Sequence, residues 1–163
     1  MIEIVAADKK WGIGKNGDLL TPLPEDMKFF RETTKNSVVI YGRKTLESFP
    51  GSKPLKNRVN IIITSNTAFQ CEGAVIVHSV EEAVSEAEKY ADKEVFVIGG
   101  GTVYRQMLKY CHKAYITKID RVFEDADTFI DNLDELEEWK VVAESDVKEY
   151  NGTRFKFVIY VKQ

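Results

Sequence analysis

Apolar residues in this chain gather in short runs: IEIVAA (2 to 7), SVVIYG (37 to 42), VNIIITS (59 to 65), AVIVHS (74 to 79), EVFVIGG (94 to 100) and AYITKI (114 to 119). Several of these runs are continuous rather than alternating, the pattern of strands buried on both faces of a parallel sheet. Helical patterns fall between them. PEDMKFFRETTK sets Pro24 in a first turn together with Glu25 and Asp26, which a helix start accepts and its dipole favours. SVEEAVSEAEKYA opens with Ser79 and Glu82 at capping-box spacing and keeps Val80, Ala83, Val84 and Ala87 on one stripe. GTVYRQMLKYC follows Gly99 and Gly100 directly. Strands alternating with helices predict right-handed crossovers and an α/β fold, a mostly parallel sheet with helices on both faces. Near the end, Asn151 and Gly152 separate two strand-like runs, a strong hairpin signal that predicts an antiparallel edge.

Composition narrows the classes. The 163 residues, with no linker, repeat or low-complexity segment, are expected to form one domain over 1–163, long enough to bury roughly 70% of the unfolded surface. Hydrophobic residues are 44%, charged residues 30% and the net charge is -3, a soluble globular profile. Lys and Arg are scattered rather than striped, so no nucleic acid partner is expected and a small one is. Cys71 and Cys111 form no CxxC pair, and His78 and His112 lack ligand spacing, so neither a disulfide nor a metal site is expected. No apolar run approaches the roughly 20 residues of a membrane span, and the start lacks a signal pattern. Reduced cytoplasm is the expected location.

Open parallel sheets bind ligands beyond the carboxyl ends of their strands. Gly99, Gly100 and Gly101, then Thr102, Val103 and Tyr104, follow one strand, where backbone can approach a phosphate or simply turn tightly. Gly42, Arg43, Lys44 and Thr45 follow another; they offer two cations and a hydroxyl without the spacing of a P-loop. Thr64, Ser65 and Asn66 end a third and His78 a fourth. Together these polar ends suit a nucleotide with phosphates. Asp26 is different: with Met27, Phe30 and Thr33 or Thr34 at helical spacing, it lies on or beside the buried stripe of its helix. A first-turn acid is ordinary dipole chemistry, but a desolvated one is also fit to handle protons or to hold an amidine-like ring.

The segments IVAADKKWGIGKNGDL, LPEDMKFFRETT, VVIYGRKTLESF, RVNIIIT, VIGGGTVY, YITKI and DADTF, in this order along essentially the whole chain, resemble bacterial dihydrofolate reductases of the chromosomal type. The resemblance implies a three-layer fold with a central sheet of about eight strands, an antiparallel C-terminal strand and about four helices. It also implies hydride transfer from NADPH to 7,8-dihydrofolate, giving tetrahydrofolate for one-carbon metabolism. Asp26 would then bind the pterin ring and promote protonation at N5, and Thr117 would orient it. Val5, Ala6, Met27, Phe30, Phe49, Leu55 and Ile98 would wall the substrate, and Arg58 would grip its glutamate α-carboxylate with a bidentate fork. Ala7, Ile13 and the Asn16 to Leu20 loop, with Leu19, would enclose the nicotinamide. Gly42, Arg43, Lys44 and Thr45 would serve the phosphates, with Arg43, Thr64, Ser65 and His78 around the adenosine 2'-phosphate and Ile63 among the further cofactor contacts. Gly99 and Gly100 match the family's cis-linked pair, and Gly100 through Gly101, Thr102, Val103 and Tyr104 would face the pyrophosphate and nicotinamide. Antifolates of the diaminopyrimidine and pteridine type are implied inhibitors, and a monomer is the family's usual state.

The chain departs from that pattern in places. Thr21 stands where bacterial members carry the tryptophan of LPW; its hydroxyl could hold the water near the pterin, and weakened sensitivity to diaminopyrimidines is expected. Thr102 replaces an arginine common among relatives, removing a charge from the 2'-phosphate side. FPGSKPLKNR is longer than usual, and Lys53 and Lys56 lie where the substrate tail would pass. Two rivals stay open at this level: a related reductase of another pterin or pyrimidine substrate, and a non-catalytic NADPH- or folate-binding protein. The joint presence of Asp26, Phe30 and Arg58 favours folate.

Overall fold

The apolar runs become the strands of one sheet in a computed structural model that describes residues 1–163. In chain order the elements are β1 (Ile2–Ala7), β2 (Gly12–Lys15), β3 (Asp18–Leu19), α1 (Pro24–Thr34), β4 (Val38–Gly42), α2 (Arg43–Ser48), β5 (Val59–Ile63), β6 (Ala74–Val77) and α3 (Val80–Ala87). There follow β7 (Val95–Gly99), α4 (Gly101–Met107), β8 (Lys113–Ile119), β9 (Thr128–Phe129), β10 (Trp139–Glu144), β11 (Lys148–Tyr150) and β12 (Thr153–Lys162). The main sheet runs β10-β12-β8-β1-β7-β4-β5-β6, with β11 also on β12, nine strands in all. It is parallel from β8 to β6, and β10, β11 and β12 are antiparallel. The expected sheet is therefore present, with a fuller antiparallel C-terminal ribbon. Its hairpin turns at Asn151 and Gly152, whose φ values of 48° and 80° are the left-handed pair that a two-residue turn needs.

Val38, Val39, Ile40 and Tyr41 explain the continuous runs, because all four are 0% exposed. One face of the sheet sets Ile2, Ile4, Val39, Tyr41 and Phe96 against Phe29 and Phe30 of α1 and Leu46 of α2. The other sets Val38, Ile40, Ile61 and Val97 against Ala83 and Ala87 of α3 and Val103 and Met107 of α4. Alternate residues thus bury on opposite faces, each large side chain contributing about 1.5–3 kcal/mol. At the start of α3, Ser79 Oγ accepts from Glu82 N at 3.0 Å as the capping box requires. The returning bond differs: Glu82 Oε2 accepts from His78 N, one residue ahead of the cap.

A second sheet, β3-β2-β9, is absent from the apolar pattern. Its strands, GIGK, DL and TF, are too short and too rich in glycine and charge to signal β structure.

The feature that makes a site is a split. β1 pairs with β8 over six residues, from Ile2 to Ala7, whereas its ladder with β7 holds only Ile2 to Phe96 and Glu3 to Val97. Beyond Glu3 the carbonyl of Ile4 is satisfied by the hydroxyl of Tyr104, which donates to it at 2.8 Å. A side chain from α4 therefore holds the gap between the carboxyl halves of β1 and β7.

Candidate active site

Asp26 reaches the mouth of that gap because of how α1 begins. Leu23, 2% exposed, is extended and packs with Ile119 and Phe155; Pro24 fixes φ for the first turn. This anchors the first turn over β8, where Thr117 Oγ1 donates to Asp26 Oδ1 at 2.5 Å. Burial raises the carboxyl pKa of Asp26 above its ordinary value, and the Thr117 bond pulls partly the other way. Oδ1 is committed to Thr117, which leaves Oδ2 for a ligand.

The expected apolar walls come from three packed clusters. Phe30, Phe49 and Leu55 pack on the cluster that holds Ile98 and Tyr41, Val5 packs on the opposite core, and Ala6 packs beside Leu23. Met27 and Leu19 are exposed, at 45% and 67%. Thr21 is half-buried between Leu20 and Pro22. Arg58 lies at the other end of α1: Nε donates to Thr34 Oγ1 at 3.0 Å, Nη1 to Lys56 O at 2.6 Å and Nη2 to Arg31 O at 2.8 Å. Desolvation, with Arg31 nearby, lowers its pKa. Three of its five N–H groups fix the fork, and two are left for an anion.

The polar strand ends gather on the far side of the split. The Gly99–Gly100 peptide is cis and Gly99 has φ +127°. A Cβ at Gly99 or Gly100 would lie 3.5 or 3.6 Å from Thr45 Oγ1, so the two turns face each other. Thr64 O meets His78 Nδ1 at 2.8 Å, which joins the ends of β5 and β6, and Ser65 is exposed beside them. Arg43 is less available than its sequence position suggests: it pairs with Glu47 at 3.3 Å and lies 4.7 Å from the Phe69 ring centroid. Lys44 is exposed. Val103 and Tyr104, expected among the cofactor contacts, are 7% and 5% exposed and pack into the core, so they support this turn from below. Ala7 and Ile13 are buried at the β1 to β2 connection.

Residues outside the expected set hold that connection. Asp8, 3% exposed, accepts from the backbone N–H of Lys10 and Gly12 through Oδ1 and of Phe123 through Oδ2. Asn16 N donates to Asp127 Oδ2 at 2.9 Å, and Lys15 pairs with Asp125 at 2.5 Å. Their partners are mostly backbone groups, so only the DADTF segment hinted at them.

A family model described as dihydrofolate reductase matches residues 1–162. The chain belongs to the dihydrofolate reductase family. The dihydrofolate reductase of Staphylococcus haemolyticus is 38% identical over 159 residues, covering 96% of this chain and 92% of that one. That of Bacillus subtilis is 36% identical over 162 residues, covering 98% and 93%. Among solved structures, a dihydrofolate reductase from Enterococcus faecalis complexed with NADP(H) and RAB-propyl superposes with a TM-score of 0.86 at 38% identity. It covers 99% of this chain and 95% of that chain. The resemblance read from the motifs is thereby borne out in family and fold. No helix is long and apolar enough to cross a membrane.

Proposed function

We propose that Asp26 is the proton-handling acid of an NADPH-dependent reductase, in one domain over 1–163, that converts 7,8-dihydrofolate to 5,6,7,8-tetrahydrofolate. The observation that carries this reading is the partly buried carboxylate of Asp26, fixed by Thr117 on β8 next to β1, whose ladder with β7 stops after Glu3. The residues on that side fit NADPH. Gly99 and Gly100 leave space before Thr45, and Lys44, Thr45, Thr64, Ser65 and His78 supply cationic and hydroxyl groups for phosphates.

When bound, NADPH supplies the hydride. The chain's own residues do the rest. Asp26 Oδ2 binds the cationic or amidine-like edge of the pterin, and its carboxyl, whose pKa burial raises, serves proton delivery toward N5. Thr117 fixes the rotamer of that acid. Val5, Ala6, Phe30, Phe49, Leu55 and Ile98 keep water away from the ring, and the two remaining N–H groups of Arg58 bind the glutamate α-carboxylate. Ile13, Asn16 and Leu19 close the nicotinamide side, and Thr21 holds a water near the pterin. We place the protein in the cytoplasm, acting as a monomer in one-carbon metabolism, with antifolates as competing ligands.

The test is the fall in NADPH absorbance on adding dihydrofolate, for the wild type and Asp26→Asn over a pH series. The wild type should oxidise NADPH, and Asp26→Asn should lose roughly 10²- to 10⁴-fold in kcat/KM near neutral pH, recovering toward acid. NADPH binding without dihydrofolate-dependent oxidation in the wild type would refute the substrate assignment.

A further inference from the structure

Arg105 lies on α4, exposed, and takes no part in the chemistry above. Its guanidinium turns back along the helix: Nη1 donates to Phe129 O at 2.8 Å and Nη2 to Thr102 Oγ1 at 3.4 Å. One fork thus spans the Gly99–Thr102 turn and β9. The two are packed together at this point, since a Cβ on Gly101 would fall 2.6 Å from Thr128 Cγ2 and 3.2 Å from Arg105 Nη1. β9 in turn carries the connection after β1. Gly12 and Gly14 pair with Phe129 and Thr128, Asp127 N donates to Gly14 O, and Ile130 N donates to Trp11 O. α4 thus meets β9 at the Arg105 guanidinium, the Thr128 methyl and the Phe129 carbonyl.

We infer that Arg105 is a positioning residue, a two-pronged tether that makes the cofactor turn and the β2/β9 loop sheet move as one body. Order imposed by NADPH at Gly99–Thr102 is passed through the tether to Ile13 and Asn16 on the far side. The inference rests on the cofactor reading of that turn. An arginine suits this role because its planar fork can hold a carbonyl and a hydroxyl at once, which a lysine ammonium on a flexible stem does less well. Thr102 has a second use on this reading, since its hydroxyl is the acceptor for the second prong.

The experiment compares wild type, Arg105→Met and Arg105→Lys by NADPH titration, steady-state kinetics and amide hydrogen exchange with and without NADPH. In the wild type, NADPH should slow exchange at Gly99–Thr102 and also at Gly12–Lys15 and Thr128–Phe129. In Arg105→Met the first protection should persist and the second should be lost. The NADPH dissociation constant should rise about tenfold while KM for dihydrofolate stays within about twofold, the size expected for one charge-assisted hydrogen bond. Arg105→Lys should resemble Arg105→Met. Restoration of affinity and loop protection by lysine would show that only the positive charge matters and would overturn the tether, as would unchanged loop protection in Arg105→Met. Absence of NADPH protection at Gly99–Thr102 in the wild type would instead refute the cofactor reading, and the tether with it.

Discussion

Asp26 and Thr117 stand 91 positions apart and meet at 2.5 Å, so the acid's behaviour depends on a partner that no local pattern could name. The helical spacing of Asp26, Met27 and Phe30 puts the acid on or beside a buried stripe, whereas Met27 is 45% exposed, Asp26 and Phe30 are half-buried and Thr34 is the buried residue of the helix; Thr117 reads from the residues alone as a β-branched strand position. Arg105 and Asp8 were harder still, because backbone groups make up most of their partners and carry no sequence identity. The pair yields a signed expectation. Burial raises the pKa of Asp26 and the Thr117 hydroxyl lowers it, so Thr117→Val, which keeps the shape between Ala6 and Phe157, leaves burial unopposed. The pKa should rise, and the pH at which the rate falls on its alkaline limb should move upward. Folding should weaken by about 1 kcal/mol. A pH-rate profile decides it: activity lost equally at every pH, with the limb unmoved, would show that Thr117 does not tune the acid.

At the scale of elements, the long strands were legible because burial on both faces imposes unbroken apolar runs, α1 because a proline and two acids mark its first turn, α3 because a capping box and a stripe mark it, and α4 because its run follows the glycines directly. β2, β3 and β9 were not, since a strand of two to four residues is specified by what it pairs with rather than by its own composition. The junction of α4 with β9 can be probed at Gly101. Alanine there should gain up to about 1 kcal/mol from helix propensity. Its Cβ would meet Thr128 Cγ2 at 2.6 Å, however, and a β-branched neighbour has few rotamers with which to yield, so overpacking of about 1–3 kcal/mol should prevail. Gly101→Ala is therefore expected to lower the urea midpoint slightly and to weaken NADPH binding through displacement of β9. A variant as stable as wild type with unchanged NADPH affinity would show that the two elements are not rigidly joined.

For the molecule as a whole, the most consequential charge is one outside the site. Glu3 lies in the central strand between Val97 and Ala114, 2% exposed, and its Oε2 has no hydrogen-bond partner. Burial pushes its carboxyl up to about 8 from an ordinary 4.5, and the negative Asp131 adds to the shift. The groups around it offer little relief: the Tyr104 phenol and the Cys111 thiol are themselves raised, the latter to about 12, and the Met1 amine, which acts on Cys111, is lowered by burial. Between pH 4.5 and about 8 the folded chain keeps a proton on Glu3 that the unfolded chain releases. Stability must then fall as pH rises through that window and level off above it. Glu3→Gln has nearly the same shape and cannot ionise, so it should match wild type at about pH 5 and exceed it by a few kcal/mol at about pH 9. Urea unfolding of both proteins across the window is the measurement. Parallel curves would mean that the carboxylate finds a counter-charge or water when it ionises, whereas curves that diverge with rising pH would identify the central strand as the place where alkali loosens the fold.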